Sequence, residues 1–164
     1  YKRQLLGIAM LKDVAWADIG NLGIFGHSYG GYMTLMSLCK APNVFKAGVA
    51  VAPVSDWRLY DSHYTERYMG LPEENAEAYQ QSSVIAHLAE LSNPLLLMHG
   101  MADDNVLFSH STLIMSELQK LGKTFDLMTY PGAKHSMQER HVSIHRFTTI
   151  LEFFTRHLQA GINV

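Results

Sequence analysis

Ser28 is the residue whose surroundings first suggest a chemical role, because it lies in the segment GHSYGG. The spacing G-x-S-x-G is typical of a serine on a sharp turn between a strand and a helix, where its hydroxyl is exposed for nucleophilic attack. Gly26 and Gly30 are expected to remove side chains that would collide at such a turn, and Gly31 to let the helix pack close to the sheet. The backbone N–H of Tyr29 would then face a developing oxyanion. An ordinary glycine-rich turn has a similar composition, so the serine needs partners elsewhere.

A serine hydroxyl is a poor nucleophile without a base. Where this turn occurs in an α/β sheet, an acid and then a histidine follow along the chain, each on a loop after a later strand. The segment HGMADDNV supplies Asp103 and Asp104, and the later segment PGAKHSM supplies His135. The order predicts that His135 is the base and that an aspartate orients it. Asp103 is favoured by its loop position, while Asp104 is interpreted as a loop residue that binds local backbone N–H groups.

The other histidines are interpreted as structural. His27 neighbours Ser28, but adjacent side chains on a tight turn diverge, and His99 at a strand end is expected to be packed and hydrogen-bonded. His141 and His145 are four residues apart on a predicted helix, yet no HExxH pattern or obvious carboxylate completes a zinc site. The remaining four are predicted to be surface or partly packed residues: His63, His87, His110 and His157.

The elements that would position these residues alternate between helical and strand patterns. Two apolar runs without a polar face are typical of a parallel sheet covered on both sides. The pattern therefore predicts an α/β fold, with a mainly parallel sheet flanked by helices. The predicted elements are a helical region at 1–15, strands at 21–25, 47–52, 93–100 and 124–130, helices at 29–40, 109–121 and 139–159, an irregular aromatic segment at 53–72, and one or two short helices at 73–90.

Two details of the helices follow from the same pattern. Gly122 is predicted to cap the helix that begins at Ser109. The last helix is predicted to bury one apolar face at spacings of three to four residues. That face consists of Val142, Phe147, Leu151, Phe154 and Leu158.

Composition limits the classes of protein to consider. With 164 residues, 48% of them hydrophobic and 17% charged, the chain is predicted to be one globular domain, and we find no repeat or linker. A net charge of -2 and no basic stripe argue against a nucleic-acid partner. The lone Cys39 excludes an internal disulfide. No apolar run approaches the ~20 residues of a membrane span, and charged Lys12 and Asp13 break the only leader-like segment.

Three segments resemble the prolyl oligopeptidase family, most closely its dipeptidyl peptidase IV branch: GHSYGGYMT, AVAPVSDWRLYDSHYTERYMGLP and HGMADDNV. The resemblance extends from about Asn21 to Leu158. It implies that residues 1–164 are the C-terminal portion of one α/β-hydrolase catalytic domain. The N-terminal β-propeller of these enzymes, their earlier strands, the second oxyanion donor and the glutamates that bind the substrate amine are expected outside this chain.

The resemblance also implies a role for individual residues. Ser28 matches the nucleophile, Asp103 the acid and His135 the base, while Tyr29 matches the oxyanion donor whose ring borders a proline pocket. Asn105 matches a side chain that binds a substrate carbonyl. Without the resemblance, the aromatic residues are equally well explained as core beneath a long loop. The predicted walls of the pocket are Val54, Trp57, Tyr60, Tyr64 and Val106.

A serine peptidase that releases N-terminal X-Pro or X-Ala dipeptides, without a metal or cofactor, is the function that the resemblance implies. Its expected partners are a peptide with a free N-terminus, the propeller and the rest of the catalytic domain, and a second copy of the protein. Ala47 stands where the animal enzymes have a disulfide cysteine, which favours a periplasmic or secreted bacterial relative. The alternatives are an acylaminoacyl peptidase or esterase of the same fold, and a non-catalytic interaction module.

Overall fold

Strands and helices alternate along the chain in the computed structural model, which describes residues 1–158. None of the helices in this part is both long and apolar enough to cross a membrane. The elements are α1 (Lys2–Leu11), β1 (Leu22–His27), α2 (Tyr29–Lys40), β2 (Phe45–Val51), α3 (Ser62–Met69), α4 (Ala76–Ser82), β3 (Leu95–Gly100), α5 (Ser109–Lys120), β4 (Asp126–Tyr130) and α6 (Arg140–Leu158), with short 3-10 helices at Trp57–Leu59 and Val84–Glu90.

The four strands form one parallel sheet in the order β1-β2-β3-β4, which confirms the predicted fold class. In β2 every residue except Lys46 is buried, and β3 is buried throughout. Both faces of these central strands are covered, as their unbroken apolar sequences predicted. Because the strands are parallel, the loops that follow them meet at one edge of the sheet.

Alternate strand residues feed two separate cores, because successive side chains point to opposite faces of a sheet. On one face, Leu97 packs in a cluster with Leu35 of α2 and Ile114 of α5. On the other face, Met98 packs in a cluster with Phe153 of α6. The sheet is thus held between α2 and α5 on one side and α6 on the other, which fixes the positions of the loops at its edge.

The prediction that 53–72 is irregular is wrong for its second half, where α3 forms. Asp61 caps the start of α3 by accepting a hydrogen bond from the Tyr64 N–H, and Gly70 ends the helix with a φ of 71°. Only Thr65 of this helix is buried. Tyr64, Thr65, Tyr68 and Met69 share one face at helical spacing, but with only eight residues the helix shows this period over little more than two turns.

The buried face of α6 also differs from the prediction. Val142 is buried, and Phe154 and Leu158 are partly buried against the same cluster, as predicted. Phe147 and Leu151, however, are 52% and 68% exposed, and Ile150 and Phe153 are buried instead. Val142 and Leu151 are nine residues apart, which is about two and a half helical turns, so they lie on opposite sides of the helix. The position predicted for the last residue of this helix, 159, lies outside the described residues.

The C-terminus of α5 confirms the predicted cap. Gly122 has a φ of 66°, and its N–H donates to the carbonyl of Gln119. The N–H of Lys123 donates to the carbonyl of Leu118. This pair of hydrogen bonds is the Schellman arrangement, which favours glycine because the residue at the turn is left-handed.

Candidate active site

Ser28 joins β1 to α2 in a strained backbone conformation. Its φ of 61° and ψ of -120° lie where glycine is normally required. The Ser28 N–H donates to the carbonyl of Val51 at the end of β2 (2.8 Å), and its own carbonyl accepts from the N–H of Tyr32 in the first turn of α2 (3.0 Å). These two hydrogen bonds hold the strained turn, with Ser28 at the carboxyl edge of the sheet.

The glycines around Ser28 have different roles from one another. A Cβ added to Gly26 would lie 2.1 Å from the Gly30 carbonyl oxygen, and one added to Gly31 would lie 2.7 Å from the Val51 oxygen. The predicted need for glycine is confirmed at these two positions. It is wrong at Gly30, where an added Cβ would meet nothing within 4 Å. Gly30 contributes the backbone that passes Gly26, while its own missing side chain faces open space.

His135 bridges Ser28 and Asp103. Its Nε2 lies 2.9 Å from Ser28 Oγ, and its Nδ1 lies 2.7 Å from Asp103 Oδ2. A carboxylate only accepts hydrogen bonds, so Nδ1 carries the proton and Nε2 is free to accept from the serine hydroxyl. The structure therefore brings the three predicted side chains together in an arrangement that can take a proton from Ser28.

The structure distinguishes the two neighbouring aspartates. The side chain of Asp103 is fully buried, and its Oδ1 accepts from the N–H groups of Asn105 (2.9 Å) and Val106 (3.0 Å). Asp104 is exposed and pairs with Lys134 Nζ at 2.6 Å. The hydrogen bond and charge of this lysine hold the pKa of Asp104 below its ordinary value. Only Asp103 contacts His135, whereas Asp104 pairs with a lysine rather than with the local backbone alone.

His27 supports the base instead of acting on the serine. Its Nε2–H donates to the backbone carbonyl of His135 at 2.9 Å, and the two rings lie 4.9 Å apart. Burial lowers the pKa of His27, and the nearby charge of His135 lowers it further. A neutral His27 thus ties the end of β1 to the loop that carries the base.

Two further histidines are buried near the edge of the sheet. His99 is packed and hydrogen-bonded as predicted, and one of its partners is Asp103. The prediction that His110 is a surface or partly packed residue is wrong, because it is 1% exposed. Its Nδ1 accepts from both the N–H and the hydroxyl of Ser55, each at 3.0 Å. Burial lowers the pKa of both imidazoles.

The two histidines considered for a metal are exposed on α6. His145 Nδ1 lies 3.2 Å from the hydroxyl of Tyr130. Within residues 1–158, no group of three or more metal-ligating side chains was found.

Tyr29 is the first residue of α2 and directly follows Ser28. The N–H groups of the first helical turn have no carbonyl partner within the helix, and the positive end of the helix dipole favours negative charge there. The Tyr29 N–H is therefore available to a negatively charged oxygen formed at Ser28.

A small cavity of about 140 Å³ opens beside Ser28. Its aromatic walls support each other. The Trp57 ring stacks on that of Tyr64 with 6.0 Å between the ring centroids, and it forms a T-shaped pair with Tyr60 at 5.7 Å. The Tyr60 hydroxyl donates to Asn105 Oδ1 at 2.7 Å, which brings Asn105 next to one wall. The residues that line the cavity are Ser28, Tyr29, Val54, Trp57, Tyr60 and Tyr64.

Val106 differs from the other predicted wall residues. It is fully buried in the apolar cluster that also contains Trp57 and Val54, and it is not among the residues that line the cavity. Its backbone contacts the polar side chains instead, because its N–H donates to Asp103 and its carbonyl accepts from His99. Sequence spacing does not reveal this backbone role.

Comparisons with known proteins agree with the fold. A sequence model described as "Prolyl oligopeptidase family" matches residues 1–161. Dipeptidyl peptidase 8 of Mus musculus is 38% identical over 88% of this chain and 17% of its own length. Inactive dipeptidyl peptidase 10 of Rattus norvegicus is 37% identical over 99% of this chain and 20% of its own. The crystal structure of Porphyromonas gingivalis dipeptidyl peptidase 4 matches with a TM-score of 0.90 and 40% identity, covering 96% of this chain and 22% of that one.

The chain thus spans about a fifth of the length of the proteins that it resembles. One of these is named inactive, although it is about as similar to this chain as the others are. Overall similarity at this level does not separate active from inactive proteins. Activity must therefore be judged from the side chains of the site.

Proposed function

The chain belongs to the prolyl oligopeptidase family, and from this premise we propose that it is the C-terminal part of a serine peptidase domain that cleaves peptide bonds through an acyl-enzyme on Ser28. The observation that supports this proposal is the hydrogen-bonded series from Ser28 through His135 to Asp103. Acyl transfer to a serine requires a hydroxyl, a base and a buried acid in this order.

In the first half of the proposed reaction, Ser28 Oγ attacks the peptide carbonyl carbon while His135 Nε2 takes the hydroxyl proton. The carbonyl oxygen becomes an oxyanion that the Tyr29 N–H stabilises. When the C–N bond breaks, the imidazolium gives its proton to the leaving amine, and an ester on Ser28 remains. Asp103 keeps the imidazole in the required tautomer and stabilises its charge.

In the second half, water attacks the ester carbonyl and His135 Nε2 takes a proton from that water. The second tetrahedral intermediate collapses, the proton returns to Ser28 Oγ, and the acid product leaves. No metal or cofactor takes part in either half of this scheme.

We further propose that the side chain before the cleaved bond is proline or alanine. The cavity beside Ser28 is small, and the rings of Trp57, Tyr60 and Tyr64 fix one another. A rigid aromatic slot suits a compact ring or a methyl group. Since the Tyr60 hydroxyl donates to Asn105 Oδ1, the Asn105 amide N–H₂ is left to donate to a substrate carbonyl.

Release of a dipeptide requires recognition of the free N-terminus, which we assign to glutamates outside this chain. A β-propeller, the remaining strands of the catalytic domain and a second copy of the protein are proposed partners on the same basis. An acylaminoacyl peptidase or esterase would use the same three side chains, so substrate choice must be tested separately from the chemistry.

The chemistry is tested with a fluorophosphonate probe on the full-length polypeptide that contains this chain. We expect labelling to disappear in Ser28→Ala, and the labelling rate to fall by about 10⁴-fold in Asp103→Ala. Asp104→Ala is the matched control, and it should label at nearly the rate of the unmodified protein. An unlabelled parent protein would contradict the proposal and favour an interaction module.

Substrate choice is tested with chromogenic amides on the same polypeptide. We expect release from Gly-Pro and Gly-Ala amides and little cleavage of N-acetylated peptides or acyl esters. Preferential cleavage of the acetylated peptide or the ester, with Ser28-dependent labelling intact, would support the alternative hydrolases and overturn the dipeptidyl assignment alone.

A further inference from the structure

His99 makes the contact with the proposed acid that the mechanism above leaves unexplained. It lies in β3, four residues before Asp103, and none of its surface is exposed. Its Nε2 is 3.1 Å from Asp103 Oδ2 and 2.9 Å from the carbonyl oxygen of Val106. Its Nδ1 is 2.7 Å from Ser111 Oγ in α5. Both ring nitrogens are therefore engaged within the fold.

The partners fix the tautomer of His99. A carboxylate oxygen and a carbonyl oxygen can only accept, so Nε2 must carry the hydrogen that both of them share. In a neutral imidazole the other nitrogen then accepts, and Ser111 supplies the hydroxyl hydrogen. Burial lowers the pKa of His99, which keeps the ring neutral. His99 thus donates a neutral N–H to Asp103.

With this contact, all of the hydrogen-bonding capacity of the carboxylate is used. Oδ1 accepts from the backbone N–H groups of Asn105 and Val106, and Oδ2 accepts from both His135 and His99. The two imidazoles bind the same oxygen, the one from β3 and the other from the loop after β4. Loss or weakening of the hydrogen bond from His99 must therefore change the strength of the hydrogen bond between Asp103 Oδ2 and His135.

We propose that His99 is a positioning residue for this reaction, which holds Asp103 Oδ2 toward His135 and limits how strongly that oxygen stabilises the charged form of the base. Ser111 supports it by fixing the Nε2–H tautomer. This inference rests on the proposed function, since it concerns the same acid and base.

Other groups near the two imidazoles set the background for any pH effect. His110 of α5 lies close enough to His99 that a positive charge on His99 would lower the pKa of His110 further. His27 of β1 packs on His135, and the ion pair of Lys134 with Asp104 lies on the exposed side of the same loop. The Phe108 ring forms a T-shaped pair with that of His99, with 5.4 Å between the ring centroids. The variants below leave all of these groups unchanged, except for the control at His110.

Loss of the His99 donor has a defined direction. Without the His99 hydrogen bond, more negative charge stays on Asp103 Oδ2 next to the His135 N–H. This charge stabilises the protonated form of His135 relative to the neutral form. The acidic limb of the kcat/KM profile should therefore move upward by about half a unit to one unit. At the alkaline plateau, kcat/KM should fall by about tenfold because Asp103 is held less firmly.

The test compares His99→Asn with His99→Gln in the full-length polypeptide. The amide nitrogen of glutamine can occupy nearly the place of Nε2 and donate to Asp103, whereas that of asparagine reaches only the place of Nδ1. We expect the His99→Asn variant to show the upward shift and the His99→Gln variant to keep the limb near its original pH. The pH dependence of the fluorophosphonate labelling rate should shift in parallel, and this labelling reaction does not require a bound substrate.

His110→Gln is the matched control, since it also removes a buried imidazole but one that binds Ser55. It should lower the unfolding temperature without moving the acidic limb. If the His99→Asn and His99→Gln variants both share the limb of the parent, the positioning role is overturned, whatever their stability. If His99→Asn does not fold, Ser111→Ala is used in its place. We expect its acidic limb of kcat/KM to move upward by less, and an unmoved limb would contradict the proposal. A parent protein that neither labels nor cleaves contradicts the proposed function instead.

Discussion

The imidazole of His27 lies against that of the proposed base and holds the base's backbone carbonyl. We predict that His27→Phe, which keeps a ring but loses the N–H donor, lowers kcat/KM by about fivefold, because one hydrogen bond that fixes the loop of His135 is lost. The measurement is steady-state cleavage of a Gly-Pro amide. His141→Phe, at an exposed position of α6, should have no effect. An unchanged kcat/KM in the His27→Phe variant would mean that other contacts position the base.

The buried histidines also predict how stability depends on pH. Burial lowers the folded-state pKa of His99 and His110 from the ordinary 6.5, so the unfolded chain binds more protons below about that pH. Stability is then fully present above pH 6.5 and is lost as the pH falls through the window between 6.5 and the lowered values. We expect the temperature of the thermal unfolding midpoint to decrease as the pH is lowered from about 7.5 to about 5.5.

A variant can attribute that fall to a particular imidazole. His110→Gln removes one of the two buried groups, so its unfolding midpoint should change less with pH than that of the parent protein. His63→Gln removes an exposed imidazole and should leave the slope unchanged. Equal slopes in all three proteins would show that His110 does not contribute to the acid response.

At this scale, the chain order of serine, aspartate and histidine was enough to predict which side chains meet. The choice between Asp103 and Asp104 depends on which carboxylate turns inward, and a loop sequence contains little of that information. The burial of His110 could not be predicted either, because its partner Ser55 lies 55 residues away and no periodicity joins them. For His99 the usable signal was its place inside a buried strand.

Among the elements, the junction between β1 and α2 depends on close backbone approach. We predict that Gly26→Ala destabilises the protein by about 1–3 kcal/mol, because its Cβ would overlap the backbone of Gly30. It should also abolish fluorophosphonate labelling by displacing Ser28. Gly30→Ala is the matched control: its Cβ meets open space in the first turn of α2, so a gain of about 0.5–1 kcal/mol is expected. Thermal unfolding and labelling of both variants check this, and equal losses would contradict it.

The elements that the sequence predicted well are those with a local signal. Strands β2 and β3 are apolar runs, and Gly122 is a left-handed cap after α5. The wrong predictions have one physical origin, because tertiary contacts decide which residues are buried. Helix α3 is short and its aromatic face is largely exposed, and α6 turns Phe147 outward although its spacing allowed burial.

For the molecule as a whole, the first strand of the sheet has an open edge. In residues 1–158, β1 pairs only with β2, so its other edge lacks a strand partner. Phe25 of this strand is 45% exposed and its ring meets that of Phe147, which is 52% exposed. An unpaired edge beside exposed aromatic rings favours association with another chain. In the proposed full-length protein, the earlier strands of the catalytic domain would cover this edge.

We therefore predict that the 164-residue polypeptide, produced alone, associates and is labelled poorly by a fluorophosphonate, while the longer polypeptide is labelled and does not associate through this edge. The measurement is light scattering during gel filtration over a range of concentrations. Replacing both rings, with Phe25→Thr and Phe147→Lys, should reduce association of the short chain because the apolar surface is removed. Leu121→Gln changes an exposed apolar residue just past α5 and should not. A short chain that stays monomeric and hydrolyses a Gly-Pro amide at the full-length rate would refute both the edge argument and the need for the missing strands.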